Sequence, residues 1–370
     1  MKIKIQQFLA TNYSWAIVGQ NIARALIKQG HDVHLFSTNG LTYFPEDLKP
    51  YLKDWRELKE HKKLNVDNTY DMQLSYTAML NFGSHLANGA KNRFGIWNYE
   101  TTVIPTGFAK YYKYCDKMLP SSQFAKRIFA ENGVPEERLV VVPHGINVEE
   151  YSNKSIYPLK TKKKYKILSN IAQPHIRKNI EGMFAAFGEA FTKEDDVCLV
   201  CKVHAKKTKD MAFDVDFWRI YKEFCKDYPK HAEVEIITEF LDTMTPLYNA
   251  CDIVFSMTRA ECYWLPGVEA LATDKLVVVS GWGGQLDFLN ENNSLLISGK
   301  EVRAPKEMQY WTTSPLAKMF EPSVDDAAEK LRLAVRDYDN LMNKFRPVIK
   351  EQLKTMTWDN VAAQIISLCE

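Results

Sequence analysis

The sequence predicts two α/β domains in tandem, each an open, doubly wound sheet of parallel strands. Three observations predict this fold class. The 370 residues exceed one ordinary domain and suit two of about 150–200 residues each. Short apolar segments that end in turn residues alternate with segments whose apolar residues recur at helical spacing. This alternation stops at the Lys-rich run KTKKKYK (160–166) and then starts again, which indicates a linker between two domains.

The first half opens as strand, loop, helix and strand. KIKIQQFLA (2–10) is extended, TNYSWAIVG (11–19) has the composition of a loop, and QNIARALIKQG (20–30) has helical spacing that stops at Gly30. Further strands are predicted around HDVHLFS (31–37), MQLSYTAML (72–80), NRFGIWNYE (92–100), DKMLPSS (116–122) and RLVVVPHGIN (138–147), with helices at ELKEHKK (57–63) and QFAKRIFAENG (123–133).

The second half repeats the pattern with five strands. They are YKILSNI (165–171), VCLVCKV (197–203), AEVEIIT (232–238), DIVFSM (252–257) and KLVVVS (275–280). Helices are predicted between them, followed by two long helical segments, VDDAAEKLRLAVRDYDNLMNKF (324–345) and WDNVAAQIISLCE (358–370). We therefore expect domains at 1–155 and 156–345 and a terminal helical segment at 346–370.

Composition excludes several classes of protein. The net charge is +2, although residues 1–164 hold 23 Lys and Arg against 15 Asp and Glu. A basic half can attract an acidic acceptor or an anionic membrane surface, but the basic residues are too dispersed for a nucleic-acid-binding arm. The segment after Met1 has no continuous apolar stretch of a signal peptide, and the seven scattered cysteines do not suggest a disulfide framework. We expect a cytoplasmic enzyme, with peripheral membrane contact left open.

The stretch FSMTRAECYWLPGVEALATDKLVVVSGWGGQLDFL (255–289) holds the strongest chemical signal. A buried strand leads into a loop with Glu261, and Pro266 takes a natural first helical position ahead of Glu269. Backbone N–H groups at this helix start, from Leu265 and Gly267, form an anion site suited to a diphosphate. Glu269 can accept hydrogen bonds from a ribose diol, and Glu261 can reach sugar hydroxyls. The alternative is that Glu269 only complements the helix dipole and that Glu261 is a solvated loop residue.

This stretch resembles the E-G-F-G-L-P-x-x-E-A element of the family 4 glycosyltransferases, which have the GT-B fold. Five positions match and three differ: the matches are Glu261, Leu265, Pro266, Glu269 and Ala270, and the departures are Cys262, Tyr263 and Trp264, where the family has Gly, Phe and Gly. The segment VVVPHGIN (140–147) resembles the V-P-N-G-V-D element that ends the first domain, and SGWGGQLDFL (280–289) resembles a later G-G-x-x-E loop. WDNVAAQIISL (358–368) resembles the terminal helix of the family.

The resemblance implies two Rossmann-like domains that face each other across a cleft, with a C-terminal helix that crosses back to the first domain. It implies acceptor binding by residues 1–155, donor binding by residues 156–345, and transfer of a sugar from a nucleoside diphosphate to a hydroxyl with retention of configuration. It also implies no metal and no cofactor. The adjacent basic residues Arg177 and Lys178 match the pair that binds the donor diphosphate, and cations can neutralise a departing diphosphate.

Further candidates are assigned less directly. Donor contacts are expected from Glu239, Leu241, Tyr263 and Trp264, although Trp264 either stacks on a sugar or packs. Contacts to phosphate or acceptor are expected from the loop residues Asn12, Tyr13, Ser14 and Gly19. Near the acceptor hydroxyl we favour Glu100, because a carboxylate at the end of a buried strand needs a partner or a task. Asn98, Tyr99, His85 and His144 are the alternatives there.

Three other functions remain open at this stage. A sugar-nucleotide epimerase or a phosphorylase on the same fold would use the same donor site. A sugar-nucleotide-binding protein without activity would bind the donor without turnover. A nicotinamide-dependent dehydrogenase is disfavoured, since no GxGxxG follows the first strand. The partners expected are a nucleotide-sugar and a glycan, glycolipid or glycoprotein acceptor; base, sugar and oligomeric state are not indicated.

Overall fold

The computed structural model describes residues 1–10, 13–39, 43–53, 70–86, 89–204, 214–306, 308 and 313–369. The chain divides into two compact units. The first contains residues 1–99, 106–147 and 355–370, and the second contains residues 100–105 and 148–354.

The first unit is built on a parallel sheet whose described strands are β1 (Lys2–Gln7), β2 (Asp32–Ser37), β3 (Tyr70–Tyr76), β4 (Ala90–Ile96) and β5 (Lys117–Met118). Their order is β2-β1-β3-β4-β5, one of the two common doubly wound orders. The helices described up to residue 147 are α1 (Ser14–Lys28), α2 (Phe82–His85) and α3 (Gln123–Glu131). Ser122 caps α3 by accepting a hydrogen bond from Ala125 N–H at 3.1 Å.

Two predictions for this unit are wrong. Helix α1 begins at Ser14, six residues before the predicted start, so Gly19 lies inside the helix and not in a loop. A Cβ at Gly19 would come 2.0 Å from the Gln7 side-chain nitrogen, so glycine is there because α1 packs closely on β1. The segment 140–145 is not a strand, because Pro143 cannot donate to a sheet. The helix predicted at 57–63 lies outside the described residues.

The second unit has a larger parallel sheet. Its strands are β6 (Tyr165–Ala172), β7 (Val197–Val203), β8 (Glu233–Ile237), β9 (Ile253–Ser256), β10 (Leu276–Ser280) and β11 (Leu295–Ile297). The order β11-β10-β9-β6-β7-β8 is the Rossmann order. Strand β7 is buried along its whole length, which explains its nearly continuous apolar sequence. The described helices that precede or connect these strands are α4 (Val148–Ser152), α5 (Ile180–Ala190), α6 (Phe217–Asp227), α7 (Thr245–Asn249) and α8 (Leu265–Ala272).

A hairpin follows the sheet and was not predicted. Its strands β12 (Gly299–Arg303) and β13 (Lys318–Pro322) pair antiparallel. Residues 100–105 join this part of the second unit, since Thr102 N–H donates to Lys318 O at 3.3 Å and Lys318 N–H donates to Thr102 Oγ1 at 2.9 Å. Val103 packs on a small apolar cluster that includes Ala260 and Met319. Glu100, predicted in the first domain, therefore belongs to the second unit.

The chain ends with α9 (Val324–Arg336), α10 (Tyr338–Leu353) and α11 (Trp358–Ile366). The predicted segment 324–345 is thus two helices, and residue 346, the predicted domain boundary, lies within α10. The last helix returns to the first unit: Ile146 N–H donates to Met356 O at 2.9 Å, and Lys28 pairs with Asp359 at 2.5 Å. A Cβ at Gly145 would lie 2.6 Å from Trp358 N, so the glycine of the VVVPHGIN segment permits this close approach.

Candidate functional site

The strand order of the second unit identifies one edge of its sheet as a binding position. Strands β6 and β9 are neighbours at the centre of the sheet, and the chain leaves them toward opposite sides. In open α/β sheets, ligands bind outside the carboxyl ends of the strands at such a switch point. The segments that follow these two strands, 173–179 and 257–264, contain Arg177, Lys178 and Glu261. The adjacent residues Arg177 and Lys178 therefore meet Glu261, which follows Lys178 by 83 residues, at this edge.

The two segments are fastened to each other by hydrogen bonds to the backbone. Arg259 N–H donates to Arg177 O at 2.7 Å, and the Arg259 guanidinium donates to Ile176 O at 2.9 Å. The same guanidinium makes two bonds to Glu321, at 2.8 and 3.1 Å. Thr258 Oγ1 donates to Arg177 O at 3.2 Å. The backbone beneath the basic pair is thus held in place before any ligand arrives.

The centre of the site is a cluster of four charged side chains, Arg177, Lys178, Glu261 and Glu100. Arg177 Nη1 and Lys178 Nζ each lie 2.6 Å from the same oxygen, Oε1 of Glu261. Arg177 Nη2 lies 3.8 Å from Glu100 Oε1. The Glu261 side chain is 9% exposed, and those of Arg177 and Lys178 are 19% and 16% exposed. The two cations are therefore largely buried and face two carboxylates.

Burial and charge act in opposite directions on these groups. Burial by itself would raise the pKa of Glu261, yet the charges of Arg177 and Lys178 hold that pKa below its ordinary value. Burial lowers the pKa of Lys178, with Glu261 opposing the shift. Burial also opposes the charged form of Arg177, but Glu261 and Glu100 raise its pKa. Glu261 is thus ionised and compensates two cations that have little access to water.

His175 adds no charge to this cluster. Its Nδ1 accepts a hydrogen bond from Arg177 N–H at 3.1 Å, which leaves the proton of a neutral ring on Nε2. Burial and the neighbouring charges of Arg177 and Lys178 lower the pKa of His175 to about 2. His175 therefore serves to start the turn Ile176–Lys178.

The loop that follows Glu261 ends at Trp264, whose backbone conformation is unusual. Trp264 has φ +72° and ψ +71° at the entrance to α8, a left-handed conformation that is rare for a bulky residue and costs about 1–3 kcal/mol. The resembled motif has Gly at this position, which adopts that conformation without strain. The Trp264 side chain is 4% exposed, so it packs rather than presenting a face to a sugar.

Gly267 provides the space for the Trp264 ring. A Cβ on Gly267 would lie 2.5 Å from Cε3 of Trp264. We expect Gly267→Ala to lower the free energy of unfolding by about 1–3 kcal/mol because of overpacking, measured by urea denaturation. In the double variant Trp264→Gly/Gly267→Ala the cost should be smaller than the sum of the two single costs. Additive costs would show that the ring and the glycine do not interact.

Glu269 is held by two tyrosines on other helices. Tyr248 OH, in α7, donates to Glu269 Oε2 at 2.7 Å, and Tyr151, in α4, also hydrogen-bonds this carboxylate. Burial raises the pKa of Glu269, although both tyrosines act to lower it. The carboxylate is thus placed by the surrounding structure rather than by the helix dipole alone.

This pKa shift predicts a pH dependence. Because the folded-state pKa of Glu269 lies above its unfolded value, the folded state binds the proton more tightly, and this contribution to stability is lost as pH rises through the folded pKa. The variant Glu269→Gln has no carboxyl group at this position, so its stability lacks this contribution at every pH. We expect the stability of wild type relative to Glu269→Gln to fall between pH 4.5 and neutrality, measured by urea denaturation at each pH. A constant difference would contradict the assigned direction.

The other predicted donor residues lie around this edge, but not all present the expected groups. Gly267 N–H already donates to Trp264 O at 2.9 Å, so it is less available to an anion than predicted. Tyr263 is 3% exposed and packs on Phe288 with ring centroids 5.0 Å apart. Glu239 and Leu241 follow β8, and Tyr157 OH donates to Glu239 Oε1. The helix start itself, Leu265–Pro266, stands where it was predicted.

In the first unit the predicted residues are dispersed. Asn12 lies outside the described residues, Tyr13 is 69% exposed, and Ser14 is the first residue of α1. A buried network instead joins Asn98, which donates to Tyr76 OH at 2.8 Å and accepts from Ser121 Oγ at 2.8 Å. Tyr99 is buried beside this network.

The two histidine candidates of the first unit also belong to packed regions. His144 Nε2 lies 3.4 Å from Asn98 Nδ2, and burial lowers the pKa of His144 to about 3. His85 Nδ1 lies 2.9 Å from Ser75 Oγ. The contacts of both histidines are those of side chains that stabilise the fold by hydrogen bonding.

Sequence reasoning missed the residues that support the site. Arg259, paired with Glu321, holds the turn Ile176–Lys178 in place. Tyr151 and Tyr248 orient Glu269. Lys202, which is buried at the end of β7, was also missed. A charged residue in the apolar strand VCLVCKV was the available signal for Lys202; the others become visible only when distant segments meet.

The described residues offer neither a metal site nor a membrane-spanning helix. No group of three or more His, Cys, Asp or Glu side chains suited to a metal ion occurs among them. None of the helices in the described ranges has the length and apolar character needed to span a membrane.

Comparison with known proteins identifies the class of fold. No family model matches the chain. A protein of Sulfolobus islandicus filamentous virus (isolate Iceland/Hveragerdi) described as "Putative glycosyltransferase 45" is 22% identical, with 93% of this chain and 88% of that protein covered. The structure of a glycosyltransferase from Rickettsia africae ESF-5 superposes with a TM-score of 0.72 at 16% identity, covering 99% of this chain and 97% of that one. Anabaena HepE, solved with UDP, gives 0.68 at 14% identity with 99% of both chains covered, and HepE has also been solved with UDP-glucose.

The chain therefore has the GT-B fold, the two-unit α/β fold of the glycosyltransferases to which it is similar. The predicted fold class is confirmed for both units, including the terminal helix that returns to the first one.

Proposed function

We propose that this protein is a retaining glycosyltransferase that transfers a sugar from a nucleoside-diphosphate-sugar to a hydroxyl acceptor. The single observation that carries the proposal is the cluster at the switch point of the second unit, where Arg177 and Lys178 share one oxygen of Glu261 at 2.6 Å each. Two buried cations on a braced backbone form a preorganised site for an anion. The complexes of HepE with UDP and with UDP-glucose support a nucleotide-sugar as the donor.

The diphosphate would lie against Arg177, Lys178 and the start of α8. When the bond between the anomeric carbon and the diphosphate breaks, its electron pair stays on the diphosphate oxygen, which gains a negative charge. Both cations favour this charge more than they favour the intact donor, which is the condition for lowering the barrier. The donor phosphates would then share the cations with Glu261, whose second oxygen, Oε2, can accept hydrogen bonds from the sugar hydroxyls while Oε1 faces the cations.

The resemblance supports retention, and the state of the carboxylates argues against a covalent route to it. Glu261 is bound by two cations, which makes its oxygen a poor nucleophile, and Glu269 is bound by two tyrosines. We therefore propose that the acceptor attacks the same face of the sugar that the diphosphate leaves, and that its proton passes to the diphosphate oxygen. In this scheme the two basic side chains supply the charge stabilisation that a metal ion supplies in other transferases.

The proposal is tested first by a panel of UDP, GDP, ADP and their sugars in thermal denaturation, since a ligand that binds the folded state raises the midpoint. We expect at least one nucleoside diphosphate to raise it. Turnover is then followed as release of nucleoside diphosphate with an acceptor library. Binding without turnover would favour a non-catalytic binding protein, and isomerised donor or dependence on phosphate would favour an epimerase or phosphorylase.

Glu269→Ala tests the position of the ribose. Because a ribose diol would lose its charged acceptor, we expect the dissociation constant of the bound nucleotide to rise by about 10-fold or more, measured by calorimetry. Glu189→Ala, on the exposed end of α5, is the control and should bind as wild type does. An unchanged affinity of Glu269→Ala for every nucleoside diphosphate would remove Glu269 from the site.

A further inference from the structure

Lys202 is a buried cation that the mechanism above does not use. It lies near the carboxyl end of β7, is 2% exposed, and its Nζ donates no hydrogen bond to any of the described residues. Leaving a buried ammonium without an acceptor is costly, and such a group in a native structure calls for an explanation. One explanation is a ligand whose acceptor atom receives a hydrogen bond from this ammonium.

The register of the sheet places Lys202 beside the candidate donor site. Lys202 pairs with Asn170 of β6 and Ile237 of β8, and paired residues of neighbouring parallel strands point to the same face of the sheet. The Asn170 side chain hydrogen-bonds Tyr248, which in turn binds Glu269. Lys202 therefore lies on the face and at the edge that carry Glu269.

The distances suit one end of a nucleotide. Strands β7 and β8 lie one and two positions from β6, so they are about 5 and 10 Å from the strand that leads to Arg177 and Lys178. A diphosphate at the basic pair and a ribose at Glu269 leave the base to extend toward β7 and β8. Glu239 follows β8 and is close enough to Lys202 to interact with its charge.

We propose that Lys202 and Glu239 read the edge of the nucleobase and select a base with a keto oxygen beside a ring N–H, as in uracil and guanine. This inference rests on the donor site proposed above. The ammonium donates to the keto oxygen, and the carboxylate, which has a second oxygen besides the one bonded to Tyr157, accepts from the ring N–H. Adenine and cytosine present an amino group at the corresponding position, which cannot accept from an ammonium.

The experiment measures dissociation constants of UDP, GDP, ADP and CDP by calorimetry for wild type and Lys202→Met. Lys275→Met is the matched control, because Lys275 is a partly buried lysine that precedes β10, at the opposite end of the same sheet. We expect wild type to bind UDP or GDP about 10-fold or more tightly than ADP and CDP, and Lys202→Met to lose that preference by weakening only the keto bases. The control should keep it.

The outcomes separate this inference from the proposed function. Equal weakening of all four nucleotides would assign Lys202 to a phosphate, and no change would remove it from the site; both overturn the inference and leave the donor site intact. If the wild-type protein binds all four nucleotides equally, the inference about base selection is overturned by the wild-type measurement alone. Wild type that binds none would overturn the proposed donor site and this inference together.

Discussion

Replacing Glu261 with Gln should lower the free energy of unfolding by about 3–5 kcal/mol, the range found when one partner of a buried ion pair is removed. Among the described residues, Glu261 is the closest anion to both Arg177 and Lys178, at 2.6 Å from each. The glutamine has nearly the same shape, so the loss comes from charge and not from a cavity. Glu100, at 3.8 Å from Arg177, is too distant to replace it fully. The measurement is urea denaturation of both proteins at neutral pH.

The effect of Glu261→Gln should depend on pH in one direction. The folded-state pKa of Glu261 lies below its unfolded value of 4.5, so its contribution is complete above the unfolded pKa and is lost as pH falls through the folded pKa. The difference between wild type and variant should therefore shrink in acid. Glu321→Gln is the control; Glu321 is paired with Arg259 but 35% exposed, and its loss should cost about 1 kcal/mol or less. Equal costs for the two variants would contradict a buried charge cluster.

Arg177→Met and Lys178→Met should each lower the turnover number by about 10²–10³-fold, which is the effect of removing one preorganised donor to a developing negative charge. Their effect on the affinity for the intact nucleotide-sugar should be smaller, because the diphosphate carries its additional charge only after the bond breaks. The measurement is the rate of nucleoside diphosphate release at saturating donor, together with the dissociation constant of the donor.

Arg93→Met is the matched control for the basic pair. Arg93 makes a comparable ion pair with Asp116, at 2.8 Å, in the first unit, so its replacement removes a paired guanidinium without touching the candidate donor site. Its turnover should match that of wild type. If Arg177→Met weakens donor binding but leaves the turnover number at saturating donor unchanged, the side chain supplies uniform binding and not stabilisation of the departing diphosphate.

Much of the fold was predictable because the signal is local. The parallel strands β6, β7 and β10 are short apolar runs, and periodicity with turn residues identifies them. The start of α1 was missed because the loop-like residues Tyr13 to Trp15 obscure it, and only the packing of α1 against Gln7 shows why position 19 is a glycine. The excursion of 100–105 into the second unit was missed because its contacts are with a hairpin about 200 residues later.

The candidate site was predictable in its parts but not in its connections. Motif resemblance named Arg177, Lys178, Glu261 and Glu269, but not that both cations share one carboxylate oxygen or that tyrosines hold Glu269. The departure from the motif at Trp264 becomes intelligible only from its left-handed backbone, which the Gly of the motif adopts freely. These are properties of three-dimensional contact, which spacing along one chain does not encode.

We propose above all that the basic pair at the switch point of the second unit binds a nucleoside diphosphate, and the decisive measurement is calorimetric titration of wild type and Arg177→Met with UDP and GDP. We expect wild type to bind at least one of them and the variant to bind it about 10-fold or more weakly, while Arg93→Met should bind as wild type does. Unchanged affinity in Arg177→Met would contradict it.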